Sequence, residues 1–525
     1  MKALVLKELS VKQKLGLVHT PLLGISSPEG TLEYLCEQAR AHALGAVWIQ
    51  WDEAHSEKIL GYIEAIKAAA DYPIAIITDA EAGLLEYKVG KHNAIGCTGS
   101  EAHAYAFGKA TAIAARALGY NVICNPLLDI SYSGSQRSYG SDIHEATRLA
   151  AAEARGIHDG GVLTIGKHYP GGKIEKNTDS HMAESLCEQT EEELWETGGA
   201  PYLALIEENL LDGVMIKHQR FLEIDNTAPA TLSKKMHDIL RTRGFDGVMI
   251  TDALCMMGIR AKYGRKDAMG LAIEAGNDFA LMYDDETALN QNALYECYEC
   301  GIISDNALDA AVERILALHH KIALLDGTAV LSDKEAALVN SIDADSVYAA
   351  LDEGLSIALP RDGKYYFALM VRNETALGND DRVQVDTFSN GWHFPKKIKD
   401  KITELFPNSH VELFYQFPTQ GQNARILTYS LDYDDVIFLT FTEALAYTGA
   451  EHLTRRVETL ISSMQSTDRI STLIHFGNPT VLGNLPHIPR IIFGGCSEKS
   501  TLATLEVLAG DRAPQGKPTY EIPLA

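Results

Sequence analysis

No His-x-His pair, no His-Glu-x-x-His and no Gly-x-Ser-x-Gly occurs anywhere in the 525 residues. The first two absences count against the common zinc-hydrolase designs, and the third against a nucleophilic serine elbow. Positive charge is scarce: 46 Lys and Arg stand against 71 Asp and Glu, a formal net charge of −25. That balance argues against nucleic acid or an anionic membrane as a main partner. Cysteine is also sparse, with 8 residues scattered without a disulfide framework. Cys297 and Cys300 make a lone C-x-x-C in a helix-like segment with no second pair, which reads as neighbouring thiols rather than a metal site. Thiols in this number suit a reducing compartment. No run approaches the roughly 20 apolar residues of a membrane span, and the N-terminus alternates charged and apolar residues without a signal-peptide core. The expectation is a cytoplasmic protein.

What is present is an ordinary globular composition, 46% hydrophobic and 22% charged, in a chain long enough for two or three domains. Over the first 330 or so residues, short apolar runs alternate with Ala- and Glu-rich helical spacings. The runs are Leu15–Leu23, Ala46–Gln50, Ile74–Asp79, Val122–Ile130, Val162–His168, Gly213–His218, Gly247–Asp252 and Phe279–Asp284. About eight such units predict a (β/α)₈ TIM-like barrel. A looser stretch follows, and then a second alternation at Tyr365–Val371, Val411–Tyr415, Val436–Phe441, Ser471–Phe476 and Arg490–Phe493. It predicts a smaller α/β sandwich domain with a mostly parallel sheet. The expected division is a barrel over 1–328, a linker over 329–345 and the second domain over 346–525.

Several barrel runs end in chemically capable residues: Asp79, Asp129, Lys167-His168, Lys217-His218, Asp252 and Asp284. Barrel enzymes place their chemistry at the carboxyl ends of strands, so these endings predict one acidic, His-lined mouth. The most concentrated stretch is Gly161–His181, GVLTIGKHYPGGKIEKNTDSH. An apolar strand there runs into Lys167-His168 and then a Pro/Gly-broken loop that closes on Asp179-Ser180-His181. Residues two apart in an extended segment face the same way, so Asp179 is placed to orient His181 and favour its imidazolium. The competing reading is a helix cap, with a helix following from Met182. Gly161, Gly166 and Lys167 have the spacing of a phosphate loop, but His168 replaces the required Ser or Thr. With metal and serine designs set aside, carboxylate chemistry remains, and Asp252 in GFDGVMITDALCMMG is the leading nucleophile candidate, against the alternative of a helix N-cap.

In order, ELSVKQKLG, IAIITDAEAG, VICNPLLDI, GKHYPGG…TDSH and APATLSKKMHDILRTRGFDGVMITDALCMMG resemble the motifs of glycoside hydrolase family 3, in its β-N-acetylglucosaminidase branch. The resemblance implies a retaining hydrolysis of terminal N-acetylglucosamine from cell-wall- or chitin-derived glycans. By motif match it assigns Asp252 as nucleophile, His181 as acid/base and Asp179 as its partner. Asp79, Arg137, Lys167 and His168 fall on sugar-holding positions. It implies a small carbohydrate substrate and no cofactor, and leaves the oligomeric state open. Three departures stand out: Ala253 where a second Asp is common, Leu-Leu-Glu-Tyr after Glu81-Ala82-Gly83, and a lengthened loop after Pro170 without the usual Gly-His-Gly. A phosphorylase on the same scaffold and a non-catalytic sugar-binding protein are the alternatives.

Overall fold

The computed structural model describes residues 2–172, 181–371, 394–443 and 452–521. Its N-terminal half contains eight parallel strands: β1 (His19–Thr20), β2 (Ala46–Trp48), β3 (Ala75–Thr78), β4 (Val122–Ile123), β5 (Leu163–Tyr169), β6 (Gly213–Ile216), β7 (Val248–Thr251) and β8 (Ala280–Leu281). The ladder runs continuously from β2 to β7 in chain order, and β1 pairs with β8. Parallel bridges Leu22–Trp48 and Ile250–Phe279 connect the two pieces, so the sheet closes on itself as a TIM-like barrel. Burial on both faces is why β2, β3, β4, β6 and β7 read as nearly continuous Val/Ile/Ala/Met runs rather than alternations.

Helices sheathe the barrel. The alanine-rich Glu101–Ala117 and Ile143–Asp159 pack closely enough that a Cβ on Gly108 would lie 2.2 Å from the Glu153 carbonyl oxygen. Small residues at these positions let two backbones approach, and a larger one would have to separate the helices. Asp142 caps the second helix by accepting from the Glu145 amide, which sets where the chain leaves the loop after β4.

Two expectations are corrected. Leu15–Leu23 is not one strand: Ser10 and Gln13 form a capping box that starts a helix over Val11–Leu17, leaving only β1 extended. No helix starts at Met182. Ser185–Cys187 is a strand paired in parallel with Gln219–Phe221, and helix formation waits for the Thr190/Glu193 capping box.

A 13-residue helix, Asp333–Asp345, leads from the barrel to a six-stranded sheet. Its strands are β9 (Tyr348–Leu351), β10 (Tyr365–Val371), β11 (His410–Tyr415), β12 (Asp435–Thr442), β13 (Ile470–Gly477) and β14 (Arg490–Gly494). The order is β9-β14-β13-β12-β10-β11, with only β9 antiparallel. Buried Asp343 joins the parts, accepting from the Gly90 amide at 2.8 Å and the Ser497 hydroxyl at 2.7 Å. Among the described residues, no helix is long and apolar enough to cross a membrane.

Candidate active site

Three linked groups occupy the carboxyl ends of the barrel strands. The first centres on Lys167, whose side chain is buried at the end of β5. Its ammonium donates to Asp79, just past β3, and lies 2.6 Å from Glu81. Arg137, from the loop after β4, closes a two-pronged contact on the same Glu81 at 2.8 and 2.5 Å. Burial favours a neutral lysine, but the Asp79 and Glu81 charges overcome it and hold the ammonium well above its ordinary value. Burial likewise pushes the Glu81 carboxyl up, and Lys167 and Arg137 more than reverse this, keeping it well below the usual range. Both stay ionised, so their remaining lone pairs and protons are fixed in direction.

The second group centres on Asp129. His168 Nδ1 lies 2.6 Å from its carboxylate, the His168 amide donates to it at 3.2 Å, and the Lys217 ammonium stands 3.6 Å away. Lys217 also donates to the Gly171 carbonyl, pinning the loop after β5. Against a burial penalty, His168 and Lys217 hold Asp129 far below the usual carboxylate value.

The third is Asp252, at the tip of β7, with its amide on the Ile216 carbonyl at 3.0 Å and its carboxylate accepting from the Ala253 amide at 2.7 Å. Burial raises its pKa; the charges of His168 and His218, the Ala253 amide and Lys167 outweigh that and lower it. Lys167 is the permanent charge in this set. His218 Nε2 faces the Ala253 carbonyl at 2.9 Å, so it carries the proton, and Nδ1 faces the Thr231 hydroxyl at 2.7 Å. Burial lowers the His218 pKa, against the Asp252 charge and the Ala253 carbonyl, which raise it. His218 is thereby a fixed support for the loop that follows Asp252.

Of the residues singled out from sequence, Asp79, Arg137, Lys167 and His168 meet in the first two groups, and Asp252 lies within electrostatic reach of Lys167 and His168. The His181 carbonyl accepts from the Met257 amide at 3.2 Å, tying its backbone to the turn after Asp252. Asp179 lies outside the described residues. Sequence reasoning did not select Glu81, Asp129, Lys217 and His218 as site residues. Asp129, Lys217 and His218 were visible as strand endings, and Glu81 as part of an acidic motif, but their pairings cross the barrel and leave no local spacing. Asp284 is paired with Arg265 at 2.8 Å and Asn290 at 2.8 Å. Among the described residues, no group of three or more His, Cys, Asp or Glu could hold a metal ion.

A closed parallel barrel whose strand ends carry an ionised Asp, a lysine–arginine–carboxylate cluster and a carboxylate-bound His has the architecture of a barrel enzyme, with its charged groups gathered at the carboxyl ends of the strands. The model for the glycosyl hydrolase family 3 N-terminal domain matches residues 38–318, and the chain belongs to this family. It is 26% identical over 391 residues to a β-N-acetylglucosaminidase/β-glucosidase of Cellulomonas fimi, covering 68% of this chain and 67% of that one. A β-hexosaminidase of Psychromonas ingrahamii is 35% identical over 167 residues, 31% of this chain and 49% of the relative. The match thus spans about half of that relative's length. Among solved structures, a family 3 β-N-acetylglucosaminidase from Paenibacillus sp. str. FPU-7 superposes with a TM-score of 0.81 at 24% identity, covering 98% of this chain and 100% of that one. A β-glucoside phosphorylase superposes with a TM-score of 0.82 at 23% identity, over 99% and 95% of the two chains. At these identities the superpositions speak to the fold of both halves.

Proposed function

We propose that the chain is a retaining exo-β-N-acetylglucosaminidase acting on terminal N-acetylglucosamine of cell-wall- or chitin-derived fragments. The observation that carries this is the Asp252 carboxylate, kept ionised beside Lys167 and His168 at the end of β7. The names of the hexosaminidase relatives support the choice of sugar. Asp252 attacks the anomeric carbon as the bond to the glycosidic oxygen breaks, and the His181 imidazolium gives that oxygen its proton. Neutral His181 then takes a proton from water, whose oxygen displaces Asp252 and restores the carboxylate with net retention. Asp179 holds the His181 ring and favours its charged form. Asp79, Arg137, Lys167 and His168 hold the sugar hydroxyls and N-acetyl group, with orientations locked by Glu81 and Asp129. A cytoplasmic location accompanies this reading on the strength of the scattered thiols.

The test is release of p-nitrophenol from its β-N-acetylglucosaminide and from its β-glucoside, each with and without phosphate. The proposal predicts preferential cleavage of the N-acetyl substrate, independent of phosphate, with free N-acetylglucosamine as product. Phosphate-dependent turnover giving a sugar 1-phosphate would replace it with the phosphorylase. Silence on both substrates, with sugar binding retained, would replace it with a binding protein.

A further inference from the structure

We propose that the second domain completes the sugar-binding site by clamping the loop that carries Arg137, with Asn478 as the positioning residue. This rests on the reading of Arg137 as a sugar-holding residue.

Residues 129–141 form a compact loop that opens on Asp129, the partner of His168, and carries Arg137, the partner of Glu81. It closes on itself: Ser138 Oγ bonds the Asp129 carbonyl at 2.8 Å, and the Ser135 amide donates to Ser131 Oγ at 2.9 Å. From the barrel side, the Tyr139 hydroxyl donates to buried Glu153. From the other side it is held by the second domain. Asn478 Nδ2 donates to the Ser133 carbonyl at 2.9 Å, and Thr480 Oγ1 reaches the same oxygen at 3.0 Å. The C-terminal stretch adds the Tyr520 hydroxyl on the Ser135 carbonyl, and the Ser141 amide on the Thr519 carbonyl at 3.0 Å.

Asn478 is itself fixed. Its carbonyl accepts from His475 Nε2 at 2.9 Å, its amide donates to Thr442 Oγ1 at 3.0 Å, and its Oδ1 caps the Thr480 amide at 2.9 Å. His475 is fully buried on β13 with Nδ1 facing the Thr440 hydroxyl at 2.9 Å. The fit leaves no slack, because a Cβ on Gly134, which has φ +80°, would lie 1.9 Å from Asn478 Oδ1. A rigid side chain on a buried strand end thus sets the position of Ser133, while the Asn93 amide holds the Gln136 carbonyl at 3.1 Å and Tyr520 and Thr519 hold Ser135 and Ser141. Asp129 opens that loop and Arg137 lies within it, beyond Ser133, so moving Ser133 moves the guanidinium away from Glu81 and the sugar.

The experiment is a double-mutant cycle between Asn478→Ala and Arg137→Ala, read as kcat and KM on p-nitrophenyl β-N-acetylglucosaminide. Asn478→Ala in the unmodified protein should lower kcat/KM on the order of 10-fold, mainly through KM, since Arg137 holds the sugar in ground and transition states alike. In the Arg137→Ala background the same substitution should cost less than about 2-fold. Asn478→Asp keeps the cap on Thr480 but replaces the amide donor with a carboxylate against the Ser133 carbonyl. It should reproduce the loss with little change in melting temperature, and it decides the case where Asn478→Ala misfolds. Equal losses in both backgrounds, or an unimpaired Asn478→Ala beside an impaired Arg137→Ala, overturn the clamp alone. An Arg137→Ala protein with full activity overturns the clamp together with the reading beneath it.

Discussion

His168 Nδ1 lies 2.6 Å from the Asp129 carboxylate, and through that contact a loop after β4 orients a side chain on β5. Lys217, on the far side of Asp129, supplies a second positive partner at 3.6 Å. Removing the carboxylate leaves two positive or donor groups without their acceptor in a buried place. Asp129→Ala should therefore lower kcat/KM by about 10- to 100-fold, matching the ~1.5–3 kcal/mol typical of a hydrogen bond to a charged group. Asp129→Asn retains an acceptor for His168 and should lose less. Steady-state kinetics on both variants checks this, and an Ala variant with unaltered kcat/KM would show that His168 needs no orientation.

The proton donor is tested through the leaving group. p-Nitrophenolate departs without a proton, whereas a sugar alkoxide requires one. His181→Ala should lose on the order of 10²- to 10⁴-fold in rate on an N-acetylglucosamine disaccharide and far less on the p-nitrophenyl substrate. Equal losses on both would remove His181 from the role.

Four buried histidines predict a pH dependence of stability. Burial is the leading cause that lowers His19, His237, His319 and His475 from 6.5 to about 4. The unfolded chain takes up these protons first as pH falls below about 6.5, so the stabilisation is complete above that value and is lost on the way to pH 4. Each contributes a slope of about 1.4 kcal/mol per pH unit within the window. Unfolding midpoints should fall steeply from pH 7 to 4.5, and His319→Gln, which can still donate to the Gly45 carbonyl, should flatten the slope. A midpoint independent of pH over this range would contradict the assignment of neutral rings.

The sequence revealed periodicity and strand endings more readily than partnerships. β10 was legible at its observed bounds because seven apolar residues in a row can only be a doubly covered strand or a buried helix. β9 was not, since Tyr348–Leu351 is short and half-buried, and its identity comes from pairing with β14 far along the chain. Lys167 and Asp252 stood out as residue types at the ends of apolar runs. The pairing of Lys167 with Glu81, or of Asn478 with Ser133, spans barrel strands and domains and has no local trace. The Met182 helix failed because the capping box at Thr190 and pairing with Gln219–Phe221 prevailed over local propensity.

The central claim is that Asp252 forms a covalent bond to the sugar. Incubation with a 5-fluoro-N-acetylglucosaminyl fluoride, followed by intact-mass and peptide mass spectrometry, tests it most directly. The account predicts one added sugar per chain, located on Asp252, and no adduct on Asp252→Asn. An adduct on another residue, or none while the natural anomer is released with inversion, would contradict it.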